Sequence, residues 1–326
     1  MVSRNPKKSS GGKKILSLIL VVLLAIVGYF YESNYNPETE KNVDWSTVTT
    51  VTPTETPVTY SEVPKIDSKK LQIYFLDVGQ ADSIFITNNG ENMLIDAGNN
   101  EDGKLVVDFL RSMNITKIDY LIGTHPHEDH IGGLDDVINE MDIGKIFMPK
   151  KSSTTKTFKD VLTAISNKNL KVKAPKVGDK FNVGNAVCEV MSIENDADNA
   201  NEASIVIEMT YGSQKFLFTG DMETKNEKAR DWNDIDVLKV AHHGSRTSSS
   251  KLFLSQTLPE VAVISLGKDN DYGHPHEEVV KRLENVEATI YRTDESGTIL
   301  LVSDGEENEI QFLAISCDGN AKEEKE

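Results

Sequence analysis

The stretch Thr124-His125-Pro126-His127-Glu128-Asp129-His130 decides the fold, and it follows the apolar run Ile118-Asp119-Tyr120-Leu121-Ile122-Gly123. Neutral imidazole and ionised carboxylate are the ligands that zinc and similar divalent ions prefer, so such a dense group of them predicts a metal site. Side chains two residues apart on an extended chain point the same way, which allows His125 and His127 to bind one ion. Asp129 and His130 come one step later and are expected to reach a second ion.

The pattern His-x-His-x-Asp-His, followed by Ile131-Gly132-Gly133, resembles the metallo-β-lactamase superfamily. Three more stretches resemble further motifs of that superfamily in the right order: Leu94-Ile95-Asp96-Ala97-Gly98, Phe216-Leu217-Phe218-Thr219-Gly220-Asp221 and Leu238-Lys239-Val240-Ala241-His242-His243-Gly244-Ser245. The resemblance implies an α/β fold, the αββα sandwich, with its site along one edge. The sequence pattern alone predicts only a mixed α/β domain. Its elements include a hairpin turn at Asn88-Asn89-Gly90, helices at residues 103–113 and 223–230, and a strand at residues 235–241.

One motif of the superfamily is missing, because no histidine occurs between His130 and His242. The segment at that place is Asn199-Ala200-Asn201-Glu202-Ala203-Ser204-Ile205-Val206. The hydrolase domain of ComEC-type competence proteins resembles this chain there, and also in Asp77-Val78-Gly79-Gln80-Ala81-Asp82 and Tyr272-Gly273-His274-Pro275. Ala81 departs from that family's usual glycine. Secreted phosphorylcholine esterases share much of the site and also lack the third histidine.

The resemblance implies two metal ions, Zn²⁺ or alternatively Mn²⁺, that share a bridging hydroxide as the nucleophile. The expected ligands of the first ion are His125, His127 and Asp221. Those of the second are Asp129, His130, Asp221 and one histidine of the pair His242 and His243. Adjacent residues of a strand face opposite ways, so only one of that pair should bind the ion. The resemblance to phosphorylcholine esterases favours His243, which leaves His242 to face the substrate. Asp129 is expected to serve catalysis as well as metal binding.

Further residues are expected to act around the ions. His274 is a candidate general acid and Tyr272 a hydrogen-bond donor to phosphoryl oxygens, although turn packing also explains both. Asp96 should orient the histidine loop. Contact with the substrate, or with residues that bind it, is expected for Asp77, Gln80, Asp82, Ser204, Glu223 and Ser245. A Gly-Asp turn equally explains the first three, a helix start explains Glu223, and a helix N-cap explains the serine run around Ser245.

An apolar run of 17 uncharged residues, 15–31, follows a basic tail at residues 1–14. About 17 to 25 such residues span a bilayer, and the preceding cations predict a cytoplasmic N-terminus with everything else outside. The run is therefore expected to be a transmembrane signal anchor. Cleavage and secretion is the alternative, although no small-x-small cleavage site follows the run.

Residues 32–68 are rich in Thr, Pro and Glu and predict an extended linker. They separate the anchor from a hydrolase domain at residues 69–316, which an acidic tail follows at residues 317–326. The two cysteines, Cys188 and Cys317, leave a core thiol and a disulfide equally open.

The whole chain has 35 cationic and 52 acidic side chains, a net charge of −17. Proteins that bind long polyanions usually carry basic patches, so this charge argues against a nuclease unless a basic strip lies within the acidic whole.

These features predict a membrane-anchored extracytoplasmic metal-dependent hydrolase, a phosphodiesterase or nuclease of the ComEC-like group. One alternative is an envelope phosphodiesterase of phosphorylcholine-esterase type. The other is a non-catalytic binding protein on a degenerate hydrolase scaffold. Ring opening of β-lactams is disfavoured because such enzymes generally use the third histidine. The expected partners are the membrane, DNA or an envelope polymer as substrate, and a separate membrane channel protein.

Overall fold

A computed structural model describes residue 67, residues 69–306 and residues 310–315. The predicted basic tail, signal anchor and acidic tail lie outside the described residues, and so does the linker except for Asp67. Within the described part of the chain, no helix is long and apolar enough to cross a membrane.

The described residues form two β-sheets. One sheet has eight strands in the order β15-β14-β1-β2-β3-β4-β5-β6, and the other has seven in the order β13-β12-β11-β10-β9-β8-β7. The strands are Leu71–Phe75 (β1), Ile84–Asn88 (β2), Glu91–Ile95 (β3), Lys117–Ile122 (β4), Asp142–Phe147 (β5), Val172–Lys173 (β6), Lys180–Val183 (β7), Ala186–Ser192 (β8), Val206–Tyr211 (β9), Gln214–Phe218 (β10), Val237–Lys239 (β11), Val261–Ile264 (β12), Thr289–Arg292 (β13), Thr298–Ser303 (β14) and Ile310–Ile315 (β15).

Helices connect the strands and cover the sheets. They are Gly103–Ser112 (α1), Glu128–Ile131 (α2), Leu134–Glu140 (α3), Lys156–Asn167 (α4), Thr224–Glu227 (α5), Lys251–Thr257 (α6), Glu277–Glu284 (α7) and Thr293–Ser296 (α8). Two of them have side-chain caps at their first turn. Thr155 Oγ1 accepts from the Phe158 N–H, and Ser250 Oγ accepts from the Phe253 N–H.

Alternation along the strands divides the core into three layers. Ile73 and Phe75 of β1 pack between the two sheets, while Tyr74 faces the opposite way, toward α1 and α4. A third cluster joins the outer face of the seven-stranded sheet to α6 and α7. The order is therefore helices, sheet, sheet, helices, which is the predicted αββα sandwich. Cys188 is buried in the layer between the sheets, and its burial raises the pKa of the thiol.

Parallel pairing places the chemistry at one edge. β3, β4 and β5 run parallel in one sheet, and β10, β11, β12 and β13 run parallel in the other. Side chains that follow the carboxyl ends of neighbouring parallel strands meet in one crevice. Asp96 follows β3, the histidine motif follows β4, Asp221 follows β10 and the histidine pair follows β11.

One predicted turn is confirmed, whereas other predicted elements differ from the structure. The hairpin turn at Asn88-Asn89-Gly90 is confirmed, since Asn89 and Gly90 have φ of 48° and 82°. The strand predicted at 235–241 is too long, because β11 contains only the three residues Val237–Lys239. The helix predicted at 223–230 is half that length. The short strands β6 and β7 were not predicted.

Candidate metal centre

Two side chains from the loop after β4 and one from the opposite sheet form the first group. Ligand atoms of His125, His127 and Asp221 lie within 4.8 Å of one another. His125 Nε2 lies 3.0 Å from His127 Nδ1 and 3.8 Å from Asp221 Oδ2. Because His127 has an extended backbone, its ring points to the same side as that of His125, as the spacing of two residues predicts.

A second group lies on the other side of the Asp221 carboxylate. It joins Asp129 and His130 of α2 with Asp221 and His243. His130 Nε2 lies 3.1 Å from Asp221 Oδ1, and His243 Nε2 lies 3.3 Å from Asp129 Oδ2. Since one Asp221 oxygen faces each group, its carboxylate is placed to bridge two ions. The structure thus brings together both predicted sets, and their role as metal ligands stays a prediction.

Atoms at the centre of the second group have no hydrogen-bond partner. His130 Nε2, His243 Nε2 and Asp221 Oδ1 are all buried, and none of them makes a hydrogen bond of good geometry within the described residues, although His130 Nε2 and Asp221 Oδ1 lie only 3.1 Å apart. Buried polar atoms without partners are costly, and three of them converge on one point. Imidazole nitrogen and carboxylate oxygen are a donor set that suits a divalent cation, so the residues fit the expected group.

Hydrogen bonds behind the rings fix which nitrogen faces the centre. His130 Nδ1 donates to Asp96 Oδ2 at 2.8 Å, and His243 Nδ1 donates to the Ser265 carbonyl at 2.9 Å. Asp96 also accepts from the Thr124 backbone N–H at 2.8 Å and from the Thr124 hydroxyl at 2.6 Å. Each Nε2 lone pair is thereby presented to the centre, which is how metal-binding histidines are commonly held. Asp96 therefore contacts both ends of the histidine loop, and its role in orienting that loop stays a prediction.

The histidines and carboxylates of the two groups shift one another's pKa values. Burial alone would lower the pKa of His130, but the Asp221, Asp129 and Asp96 carboxylates together raise it well above its usual value. Burial would raise the pKa of Asp221, but His130 and His243 hold it well below its usual range. Burial lowers the pKa of His125 well below its usual value, which keeps its ring in the neutral form that metal ions bind.

His242 and His243 lie in a turn and not on a strand, which corrects the reasoning that assigned them opposite faces. Both have left-handed backbones, with φ of 52° and 51°, and Gly244 follows with φ of 79°. Left-handed backbone in non-glycine residues is strained and often found at functional sites. The turn sends His243 into the second group. His242 Nε2 lies 3.6 Å from Asp221 Oδ2, on the side of the first group.

A buried lysine behind the centre was missed in the sequence. Lys239 is 1% exposed, and its Nζ donates to Asp82 Oδ2 at 2.7 Å and to the Val240 carbonyl at 3.0 Å. Asp82 does not line the cavity, because its side chain is buried, but its carboxylate lies 3.5 Å from His243 Nδ1, so it contacts an expected metal ligand. The signal was a lone charge within the apolar strand β11, immediately before the histidine pair.

The mouth of the site is a cavity of about 930 Å³. Gln80, Tyr272 and His274 line it together with His127, His242 and His243. Gln80 Oε1 accepts from the Gly267 N–H at 3.1 Å, so its amide nitrogen faces His274 Nδ1 at 3.4 Å. Tyr272 is 69% exposed and its ring stacks on that of His274. Asp77 also lines the cavity, and its carboxylate accepts from the Gly79 N–H as in a simple turn.

A family model described as the metallo-beta-lactamase superfamily matches residues 76–268. The chain belongs to this superfamily. It is similar to the Bacillus subtilis ComE operon protein 3, at 31% identity over 255 residues, which cover 71% of this chain and 33% of that protein. It is also similar to Recombination protein 2 of Haemophilus influenzae, at 31% identity over 236 residues, covering 70% and 28% of the two chains.

This superfamily member spans about a third of the length of the curated relatives that it matches. The resemblance to ComEC-type competence proteins is confirmed by these relatives. Among solved structures, the metallo-beta-lactamase fold protein YhfI from Bacillus subtilis is similar, with 13% identity and a TM-score of 0.48. That match covers 72% of this chain and all of that one.

The segment in place of the superfamily's third histidine supports the site from behind. Ser204 Oγ accepts from the Asp221 backbone N–H at 3.1 Å and lies 3.4 Å from His125 Nδ1. Asn199 and Asn201 donate to the two carboxylate oxygens of Glu223, at 2.9 and 3.2 Å. Ser204 therefore holds the bridging residue, while the asparagine pair holds Glu223 beside His242.

Ser245 does not line the cavity. Its hydroxyl accepts from the Thr247 hydroxyl at 3.2 Å, within the turn before α6. The predicted N-cap in this serine run is Ser250.

Proposed function

We propose that this chain is a membrane-anchored, extracytoplasmic hydrolase that uses two divalent ions to cleave phosphodiester bonds, with DNA as its substrate. The observation that carries the proposal is the convergence of unpaired buried His130 Nε2, His243 Nε2 and Asp221 Oδ1 at one point. Two groups of ligands that share Asp221 favour two-ion chemistry.

His125, His127 and Asp221 would hold one ion, and Asp129, His130, Asp221 and His243 the other. When bound, such ions would lower the pKa of water and supply a hydroxide nucleophile, with Zn²⁺ as the expected ion and Mn²⁺ as the alternative. The first group has three members against four in the second, so an ion held by the first group would have room for a phosphoryl oxygen.

The remaining polar residues at the mouth bind the substrate and move a proton. His242 lines the cavity with its Nε2 3.6 Å from Asp221 Oδ2, and it would donate a hydrogen bond to a phosphoryl oxygen. The Gln80 amide nitrogen donates to His274 Nδ1, so the His274 proton resides on Nε2, where it is available to a leaving oxygen. Tyr272 stacks on that ring and presents its hydroxyl at the entrance.

The chemistry of the site would suit any phosphodiester, and the relatives favour DNA among them. One relative is named a recombination protein, which suits a nucleic-acid substrate. The anchor at residues 15–31 would hold the domain outside the cell, beside a separate membrane channel protein that passes the strand. Proteinase accessibility of the domain in intact cells tests this location.

A second candidate is an envelope phosphodiesterase of phosphorylcholine-esterase type. The rim of the cavity favours it, because Asp77, Glu101, Asp102 and Glu128 all line the entrance and would attract a cationic head group. Tyr272 adds an exposed aromatic face of the kind that binds quaternary ammonium.

The full chain, purified in mild detergent, stripped of metal and reloaded with zinc or manganese, is to be assayed on bis(p-nitrophenyl) phosphate. We expect metal-dependent turnover that His127→Ala abolishes. Stoichiometric metal binding without turnover would count against a phosphodiesterase. Faster turnover of p-nitrophenyl phosphorylcholine than of the bis-nitrophenyl ester would favour the envelope substrate.

A further inference from the structure

A strongly basic segment lies within this acidic domain. Residues 145–180 contain ten lysines and two aspartates, a net charge of +8, while the remainder of residues 69–306 carries −21. All of these lysines except Lys151 are exposed. The segment runs from β5 through α4 and β6 to the first residue of β7, along the outer end of the eight-stranded sheet.

Three of the lysines line one groove at this end of the sheet. The groove has a volume of about 370 Å³, and Lys145, Lys171, Lys173 and Asn169 border it. β5 pairs with β6 in parallel, with Ile146 opposite Val172, which places Lys145 and Lys171 beside each other. Lys173, at the end of β6, is two residues beyond Lys171 along the extended chain and therefore on the same face, about 7 Å away.

Aromatic rings hold two of these lysines in place. Lys145 Nζ donates to the Tyr120 hydroxyl at 3.0 Å and lies 4.7 Å from the centre of that ring. Lys173 Nζ lies 5.3 Å from the centre of the Phe147 ring and 2.8 Å from Asp179 Oδ2. Lys171 forms no ion pair within the described residues. The groove thus presents ordered positive charge that nearby carboxylates only partly neutralise.

Protection of the sheet edge explains only part of this pattern. Lysines on an edge strand discourage pairing with another chain, and β6 is an edge strand of two residues. That role needs charge on β6 alone. It does not require Lys145, which lies on the inner strand β5, or the concentration of lysines in the flanking segments.

We propose that this lysine groove binds the phosphate backbone of a single nucleic-acid strand and so delivers it to the hydrolase site. This inference rests on the proposed function. Within the described residues, the acidic surfaces elsewhere repel a polyanion, which concentrates it on this basic segment. Lys150 and Lys151 follow the carboxyl end of β5, at the edge where the metal centre lies, and extend the positive charge toward it.

Binding of a labelled single-stranded oligothymidine to the full chain, in mild detergent and EDTA, tests the groove apart from catalysis. We expect the triple variant Lys145→Gln, Lys171→Gln, Lys173→Gln to bind at least tenfold more weakly. The slope of log affinity against log salt should fall by about 2, since each phosphate contact on a single strand contributes about 0.7. The matched control, Lys117→Gln, Lys228→Gln, Lys251→Gln, should bind as the unchanged chain does.

Three outcomes would contradict nucleic-acid binding by the groove. The first is unchanged oligonucleotide binding when Lys145, Lys171 and Lys173 are replaced by glutamine, and the second is an equal loss of binding in that variant and in the control. The third is lysine-dependent binding to phosphatidylglycerol vesicles without binding of the oligonucleotide. A version with arginine at the three positions should retain binding, which separates loss of charge from loss of fold. Both triple variants should turn over bis(p-nitrophenyl) phosphate normally. Failure of that turnover in the unchanged chain would contradict the proposed function alone.

Discussion

Lys239 places a positive charge in the interior, where the Asp82 carboxylate is its ion-pair partner. Removing one partner of a buried pair leaves the other uncompensated, so Lys239→Met should lower the free energy of unfolding by about 3–5 kcal/mol. Because Asp82 lies beside His243, zinc affinity should also fall about 10–100-fold. Urea unfolding and competition with a chromophoric chelator measure the two effects.

The double variant Lys239→Met, Asp82→Asn separates stability from positioning. With no charge left unpaired, it should recover much of the unfolding free energy and still bind zinc weakly. If zinc affinity returned together with stability, Lys239 would be a structural residue without influence on the metal centre.

His274 is the residue whose protonation decides how the leaving group departs. Burial, and then the neighbouring His243 and His276, lower its pKa to about 4, so the ring is neutral near pH 7 and carries one proton. His274→Ala should slow cleavage of a diester with an alkoxide leaving group about 10²–10⁴-fold, a range typical of general acid catalysis. Turnover of bis(p-nitrophenyl) phosphate should change much less, because nitrophenolate leaves without a proton.

His276 offers the matched control, since its ring lies 4.9 Å from that of His274 while its Nδ1 accepts from the Arg246 N–H. His276→Ala should leave both rates unchanged. Equal losses on the two substrates in His274→Ala would indicate a binding role for His274 in place of proton donation.

At the scale of elements, two glycines allow α2 to carry Asp129 and His130 to the centre. A Cβ on Gly132 would lie 2.2 Å from the Asn99 carbonyl carbon, and one on Gly133 would lie 2.4 Å from the Ala97 oxygen. Neither contact can be relieved by moving a side chain, because both are with backbone. The glycines after the histidine motif are therefore packing requirements of the short helix.

Gly132→Ala should accordingly cost about 1–3 kcal/mol of stability, as overpacking does, and should weaken zinc binding by displacing α2. Gly178→Ala is the comparison, because its φ of 85° strains any side chain while no atom lies within 4 Å of the added carbon. It should lose stability with unchanged zinc affinity. Calorimetry and metal titration of both variants test this, and equal zinc affinity in the two would contradict it.

Single elements could be predicted where the local sequence pattern was strong. The Asn-Asn-Gly turn and the amphipathic helix α1 carry strong local patterns, and both were predicted near their observed bounds. The two-residue strand β6 has no such pattern, because only its pairing with β5 defines it. The histidine turn was mistaken for strand because its left-handed backbone depends on tertiary contacts, including the His242 N–H to the Gly220 carbonyl.

Over the whole molecule, motif order predicted which side chains meet, since each motif follows a strand end at the same edge. The contacts behind them were not predictable, because they join residues far apart in sequence. Lys239 and Asp82 lie 157 positions apart, and the Ser265 carbonyl that fixes the His243 ring belongs to a different strand end. The net charge of −17 also conceals the basic segment, because the surplus of lysine lies within residues 145–180.

The candidate metal centre lies between the two halves of the sandwich, because its possible ligands come from both sheets. The histidine motif follows β4 of one sheet, while Asp221 and His243 follow β10 and β11 of the other. A ligand that binds only the folded state stabilises it by about 2.7 kcal/mol at one hundred times its Kd, which raises the Tm of a domain this size by about 5–10 °C. Scanning calorimetry of the metal-free and zinc-loaded full chain should show that shift. Asp221→Asn should abolish it and the exposed substitution Asp142→Asn should not, whereas an unchanged Tm on zinc addition would argue against ions that bridge the two sheets.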